Sequence, residues 1–125
     1  MKLTRLDHIV LCVADVERTL AFYEDVLGMA PREERPGKWS LHFGVSKISV
    51  QDVRSAPALA RGTVPGSGNF CVLTEEPIER VADMLRGRGV DIVAGPEERI
   101  GATGRIVSVY FRDPEGNLVE VSNPL

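Results

Sequence analysis

One order of elements occurs twice along this chain, and few folds accommodate such a doubling. Leu6 to Val13 is rich in Ile and Val and reads as a buried strand. Asp15 then offers an N-cap, and Val16, Thr19, Leu20, Tyr23 and Leu27 recur at helical spacing until Gly28 stops the helix. Met29 to Arg35 is predicted as a strand ending in the turn at Pro36-Gly37, and Lys38–Phe43 and Lys47–Val53 alternate as two more strands joined at Gly44. Ser55 to Gly68 changes texture, with two prolines, three glycines and small residues between them, and reads as a linker. Then the order restarts. Asn69–Leu73 is a strand, Pro77 opens a helix with Ile78, Val81, Ala82 and Leu85 on one stripe, and Gly87 and Gly89 close it. Val90–Ala94, Ile106–Arg112 and Asn117–Ser122 are predicted strands, Gly95–Arg105 is predicted to be a long loop, and Asp113-Pro114-Glu115-Gly116 carries a tight-hairpin signal.

An offset of 61 residues carries Asp15 onto Glu76, Leu20 onto Val81, Ala21 onto Ala82 and Gly28 onto Gly89. The repeat is of pattern rather than letters. Each half alone is too small to bury both faces of its sheet. The expected fold is therefore α+β: two βαβββ modules forming a curved, mostly antiparallel sheet around a cavity. Residues 1–125 are read as a single domain, with module one at 1–54, a linker at 55–68 and module two at 69–125.

The bulk properties narrow the function. A 125-residue chain with 43% hydrophobic and 26% charged residues is of ordinary globular composition. A net charge of −3 argues against nucleic-acid binding, which needs a dense basic face. No apolar run is long enough to cross a membrane. The N-terminus leads into Asp7 and His8 rather than an apolar signal core, so no export signal is read and a cytoplasmic location is expected. Cys12 and Cys71 lie in apolar runs, where thiols are expected to be reduced and buried.

Strand parity selects the inward residues. Ile9, Leu11 and Val13 share one face of the first strand, opposite His8, Val10 and Cys12; in the last strand Val119 and Val121 oppose Glu120. If the Val and Ile rows pack under the helices, His8 and Glu120 point into the cavity. The offset carries His8 onto Asn69. Counting from a matched Phe43 and Phe111, eight residues lead to Gln51 and nine to Glu120. His8, Gln51, Asn69 and Glu120 thus form two matched pairs of candidate donors for a divalent ion. Either amide serves equally well as a hydrogen-bonding strand residue.

With these residues the chain resembles the vicinal-oxygen-chelate superfamily, which includes glyoxalases, bleomycin-resistance proteins and extradiol dioxygenases. The resemblance lies in Leu6-Asp7-His8-Ile9-Val10 with Tyr23 to Gly28, and in the closing run Tyr110 to Glu120; it spans nearly the whole chain and is nearest to small glyoxalase-domain proteins. It implies metal donors at His8, Gln51, Asn69 and Glu120, and a divalent cofactor such as Zn, Ni, Mn or Fe acting as a Lewis acid on vicinal substrate oxygens. Position 69 departs from the pattern: Asn breaks the two-histidine, one-carboxylate set of the dioxygenases. Glyoxalase I keeps two glutamates, and only Glu120 is present here. Tyr110 matches a substrate-touching tyrosine of the family, making Glu120 and Tyr110 the candidate catalytic residues. Trp39, His42, Arg105 and Ser108 join Tyr110 as candidate pocket residues. The leading expectation is a glyoxalase-like metal-dependent lyase or isomerase acting on a small oxygen-rich metabolite, and working as a homodimer. The alternative is a metal-free small-molecule binding protein like those of bleomycin resistance.

Overall fold

The structure is a computed structural model that describes residues 1–55 and 59–125. Pro57, assigned to the linker, lies outside the described residues. The chain divides into two compact units, Met1–Gly66 and Ser67–Leu125.

The first unit runs β1 (His8–Val13), α1 (Val16–Leu27), β2 (Ala30–Arg35), β3 (Lys38–Phe43) and β4 (Ser46–Asp52). Its sheet has the order β1-β4-β3-β2, with β1 and β4 parallel and the other neighbours antiparallel. The helix ends follow the sequence signals. Asp15 accepts a hydrogen bond from the Arg18 amide at 3.0 Å, and Gly28 leaves the helix at φ +65°. The helix packs on β2, β3 and β4. Leu11, Val13, Tyr23, Leu41, Ile48 and Val50 are buried, as the alternation of β1 and β4 requires.

The second unit repeats the order: β5 (Asn69–Leu73), α2 (Ile78–Gly87), β6 (Ile92–Gly101), β7 (Gly104–Arg112) and β8 (Leu118–Pro124). Its sheet order is β5-β8-β7-β6, with β5 and β8 parallel. The stripe Ile78, Val81, Ala82 and Leu85 is buried, as are Val109, Phe111, Val119 and Val121. A fully buried aromatic or aliphatic side chain contributes about 1.5–3 kcal/mol.

One predicted segment is corrected. Gly95–Arg105 is not a loop: β6 runs on to Gly101, and β7 starts at Gly104, leaving only Ala102 and Thr103 between them. The strand accommodates its Gly-Pro interruption through shifts of register between Ile92 and Ala94 and between Ala94 and Glu97.

The turn into β8 is tied down by Asp113 and Asn117. Asp113 Oδ1 accepts from the amides of Glu115 and Asn117, each at 2.9 Å, and Oδ2 accepts from Asn117 Nδ2 at 2.8 Å. Asn117 Oδ1 in turn accepts from the Gly68 amide at 2.7 Å, holding the approach to β5. Both side chains are buried. Asp113→Ala strands three donors, and the expected loss is about 2–4 kcal/mol of unfolding free energy, measurable by chemical denaturation. A loss below about 0.5 kcal/mol would show that the turn does not depend on this carboxylate.

Candidate functional site

In the first unit, Ser40, His42, Lys47, Ser49 and His8 share the sheet face opposite the buried Leu41–Ile48 row. Glu34 reaches over this face. Its carboxylate accepts from Lys47 Nζ at 2.7 and 2.8 Å, and Oε1 lies 3.1 Å from His42 Nε2, which is itself 2.9 Å from Ser40 Oγ. The Lys47 ammonium, then the Ser40 hydroxyl, hold the Glu34 carboxyl well below the usual carboxylate range, at about 2. His42, expected in a substrate pocket, is thus engaged in a salt-bridge cluster. Trp39 alternates with Ser40 and His42 and lies on the face of Leu41 and Val50, so it leaves the candidate pocket set. His8 begins β1, and its Nδ1 lies 2.8 Å from Asp7 Oδ1.

In the second unit, a cavity of about 460 Å³ opens on the face of β5 and β8 that bears Glu120, with Cys71, Leu73, Arg99, Ile106 and Tyr110 in its wall. The turn Gly101-Ala102-Thr103 also lines it, so part of the segment predicted as a loop reaches the Glu120 pocket as the end of a hairpin. Polar contacts here are directional. Ser122 donates to Glu120 Oε1 at 3.4 Å, with Ser108 Oγ and Cys71 Sγ at 2.7 and 3.3 Å from the Ser122 hydroxyl. Arg99 Nε donates to Tyr110 Oη at 3.2 Å, stacks over the Tyr110 ring, and forms an ion pair with Glu97. Burial, then the hydrogen bond with Glu120, pushes the Tyr110 hydroxyl above its ordinary value against the opposing pull of Arg99. Tyr110 therefore keeps its proton and can donate to Glu120.

Three expectations for this unit change. Ser108 is fully buried and acts through Ser122. Arg105 alternates with Ile106, so it lies on the face away from Tyr110, where it pairs with Glu98 at 3.1 Å; the cation in the cavity is Arg99. Cys71 is exposed in the cavity wall and Cys12 half-buried, with no disulfide between them. Parity explains the Cys71 correction: Cys71 alternates with Phe70 and Val72, so an apolar run did not mean burial for every residue in it.

Register also corrects the matching of the halves. His8 pairs with Lys47 and Asn69 with Leu118, so His8 and Asn69 are equivalent positions heading their parallel strands. Two residues on, Val10 pairs with Ser49 and Cys71 with Glu120. The counterpart of Glu120 is therefore Ser49, and Gln51 corresponds to Ser122. The buried pair Leu41–Ile48 matches Phe111–Val119, so Phe43 was the wrong anchor and the counterpart of Tyr110 is Ser40 rather than His42. Gln51 lies four residues along β4 from the partner of His8. At a strand rise of about 3.3 Å per residue that is roughly 13 Å, too long for one ion's donor shell.

His8 offers an imidazole nitrogen, Glu120 a carboxylate and Asn69 an amide oxygen. Among the described residues no group of three or more His, Cys, Asp and Glu side chains gathers to hold an ion.

A sequence profile described as the Glyoxalase/Bleomycin resistance protein/Dioxygenase superfamily matches residues 5–121. The chain is 44% identical over 124 residues to the virulence protein STM3117 of Salmonella typhimurium strain LT2, covering 98% of this chain and 85% of that protein. It is 36% identical over 119 residues to the glyoxalase domain-containing protein RDO1 of Mycosarcoma maydis, covering 94% and 67% respectively. The structure of an integron cassette protein, VCH_CASS1, from the mobile metagenome of V. cholerae superposes with a TM-score of 0.95 at 40% identity, covering 100% of this chain and 98% of that one.

Proposed function

The chain belongs to the Glyoxalase/Bleomycin resistance protein/Dioxygenase superfamily, and from that premise we propose that it is a glyoxalase-like, metal-dependent lyase or isomerase for a small oxygen-rich metabolite. The observation that carries this reading is the Glu120 carboxylate in the wall of a ligand-sized cavity, hydrogen-bonded on its Ser122 side and beside the protonated Tyr110. By donor chemistry alone, His8 in the first unit and Asn69 and Glu120 in the second are the candidate ligands for such an ion. A bound divalent ion would supply Lewis-acid stabilisation to negative charge developing on substrate oxygen. Glu120 takes a proton from substrate carbon and returns it, acting as general base. Tyr110, steered by Arg99, orients a substrate oxygen by hydrogen bonding. Leu73 and Ile106 give the substrate body an apolar wall. The small-molecule substrate is the expected partner, together with a second copy of the chain: β1, β2, β5 and β6 are the end strands of their sheets.

Protein purified without chelator and analysed for metals is expected to carry substoichiometric divalent ion, restored toward one per chain by dialysis against Mn²⁺. Weak retention follows from a donor set with one carboxylate. Protein that takes up no ion at all yet binds small apolar or cationic compounds would favour the metal-free binding reading. The displacement of Gln51 from the His8 end of the sheet is the observation on that side.

A further inference from the structure

We propose that Arg99 makes the Glu120 cavity selective for a ligand that carries a carboxylate on an apolar body. This rests on the Glu120 cavity being the substrate site, as read above, and needs no ion. Every residue involved belongs to the second unit. Arg99 pairs with Ile106 across the β6–β7 hairpin, and directly opposed residues share one face of a sheet. By alternation Ile106 shares that face with Tyr110, which is opposed in turn by Glu120 on β8. The guanidinium therefore stands on the face that bears Glu120. Among the described residues lining the cavity, Arg99 and Glu120 are the two that carry charge.

The guanidinium is held in place before any ligand arrives. Its Nε donates to Tyr110 Oη at 3.2 Å, Nη1 donates to the Glu98 carbonyl at 3.1 Å, and Nη2 pairs with Glu97. It also lies 5.6 Å from the centre of the Tyr110 ring. A side chain fixed in this way loses little freedom on binding. Among the described residues these contacts use three of the five N–H donors of an arginine and leave two for a ligand. Glu97 stands outside the cavity wall, and its pair with Arg99 is exposed, at 37% and 46% respectively. So exposed a pair is weak, and a second carboxylate can share the cation. Glu120 repels an anion at the other end of the cavity, which fixes the direction of the ligand. Its carboxylate lies at Arg99, its uncharged oxygen at Tyr110 and Glu120, and its body along Leu73 and Ile106. A cavity of about 460 Å³ has room for a body of several carbons.

Titration of the metal-free protein with hexanoate and with its uncharged amide, hexanamide, followed by NMR, tests the role. Hexanoate is expected to shift the Arg99 Nε–H and Tyr110 ring signals and to bind about 10- to 100-fold more tightly than hexanamide. Arg99→Gln is expected to remove that preference. Arg99→Lys should keep part of it, since an ammonium retains the charge without the planar fork. Arg105→Gln loses the same charge on the other face and should bind like the wild type. Equal affinity for acid and amide, or a preference that survives in Arg99→Gln, would overturn the role of Arg99 and leave the cavity a ligand site. An equal loss in Arg99→Gln and Arg105→Gln would mean that net charge alone is sensed, and would overturn it too. If neither compound moves the Tyr110 signals, the cavity fails as a ligand site and the selectivity of Arg99 falls with it. Uptake of Mn²⁺ is measured separately, so the metal reading and the role of Arg99 can fail independently.

Discussion

Gly95→Ala is expected to lower the unfolding free energy by roughly 3 kcal/mol or more, a shift of about 10–15 °C in melting temperature for a chain of this size. Gly95 adopts φ +90° beside β7, in a stretch where the register of β6 shifts. A methyl group there would overlap the Ser108 carbonyl oxygen and sit 3.1 Å from Val109 Cα. Both obstacles are backbone, so no side chain can swing aside. Relief requires β6 to move off β7, which also displaces Ser108, the fully buried hydroxyl behind Ser122. Thermal unfolding followed by circular dichroism measures the effect. A variant melting within about 2 °C of the wild type would mean that the β6–β7 spacing is slack at this point.

Glu120→Gln is expected to reduce turnover by about 10²- to 10⁴-fold while leaving the melting temperature nearly unchanged. The amide keeps the shape of the carboxylate and can still accept from Ser122, so the fold has little to lose. It removes the charge that would attract an ion and the basicity needed to take a proton. The measurement is single-turnover kinetics with Mn²⁺ present, on a substrate found by screening small vicinally oxygenated carbonyl compounds. Full activity in this variant would exclude Glu120 as base and move the protein to the metal-free binding reading.

Local order was readable because each signal acts over a few residues. Asp15, Gly28 and the stripe of α2 state their roles within one helical turn, and parity placed His8 opposite Leu11 and Glu120 opposite Val119 without knowledge of strand partners. Register was not readable, since it depends on which residues pack across the sheet. Phe43 and Phe111 share a letter, yet Phe43 ends β3 half-buried while Leu41 fills the place of Phe111. That slip of two residues carried Gln51 into the position that Ser49 holds. The strand β6 was hidden for another reason. Gly95, Pro96, Gly101 and three successive charges resemble a loop, but an edge strand needs a partner on one side only and tolerates both charge and bulge. Arg99 gained its place beside Tyr110 from that extension.

The register equivalence bears on how far the two halves can stand in for each other. A chain made from two copies of the first half would hold imidazoles and hydroxyls at the paired positions, and one made from two copies of the second would hold amides and carboxylates. Only the unlike pair brings one imidazole and one carboxylate into the same polypeptide. The doubling therefore persists in the backbone while the side chains at the paired positions differ, an imidazole and a hydroxyl in the first half and an amide and a carboxylate in the second.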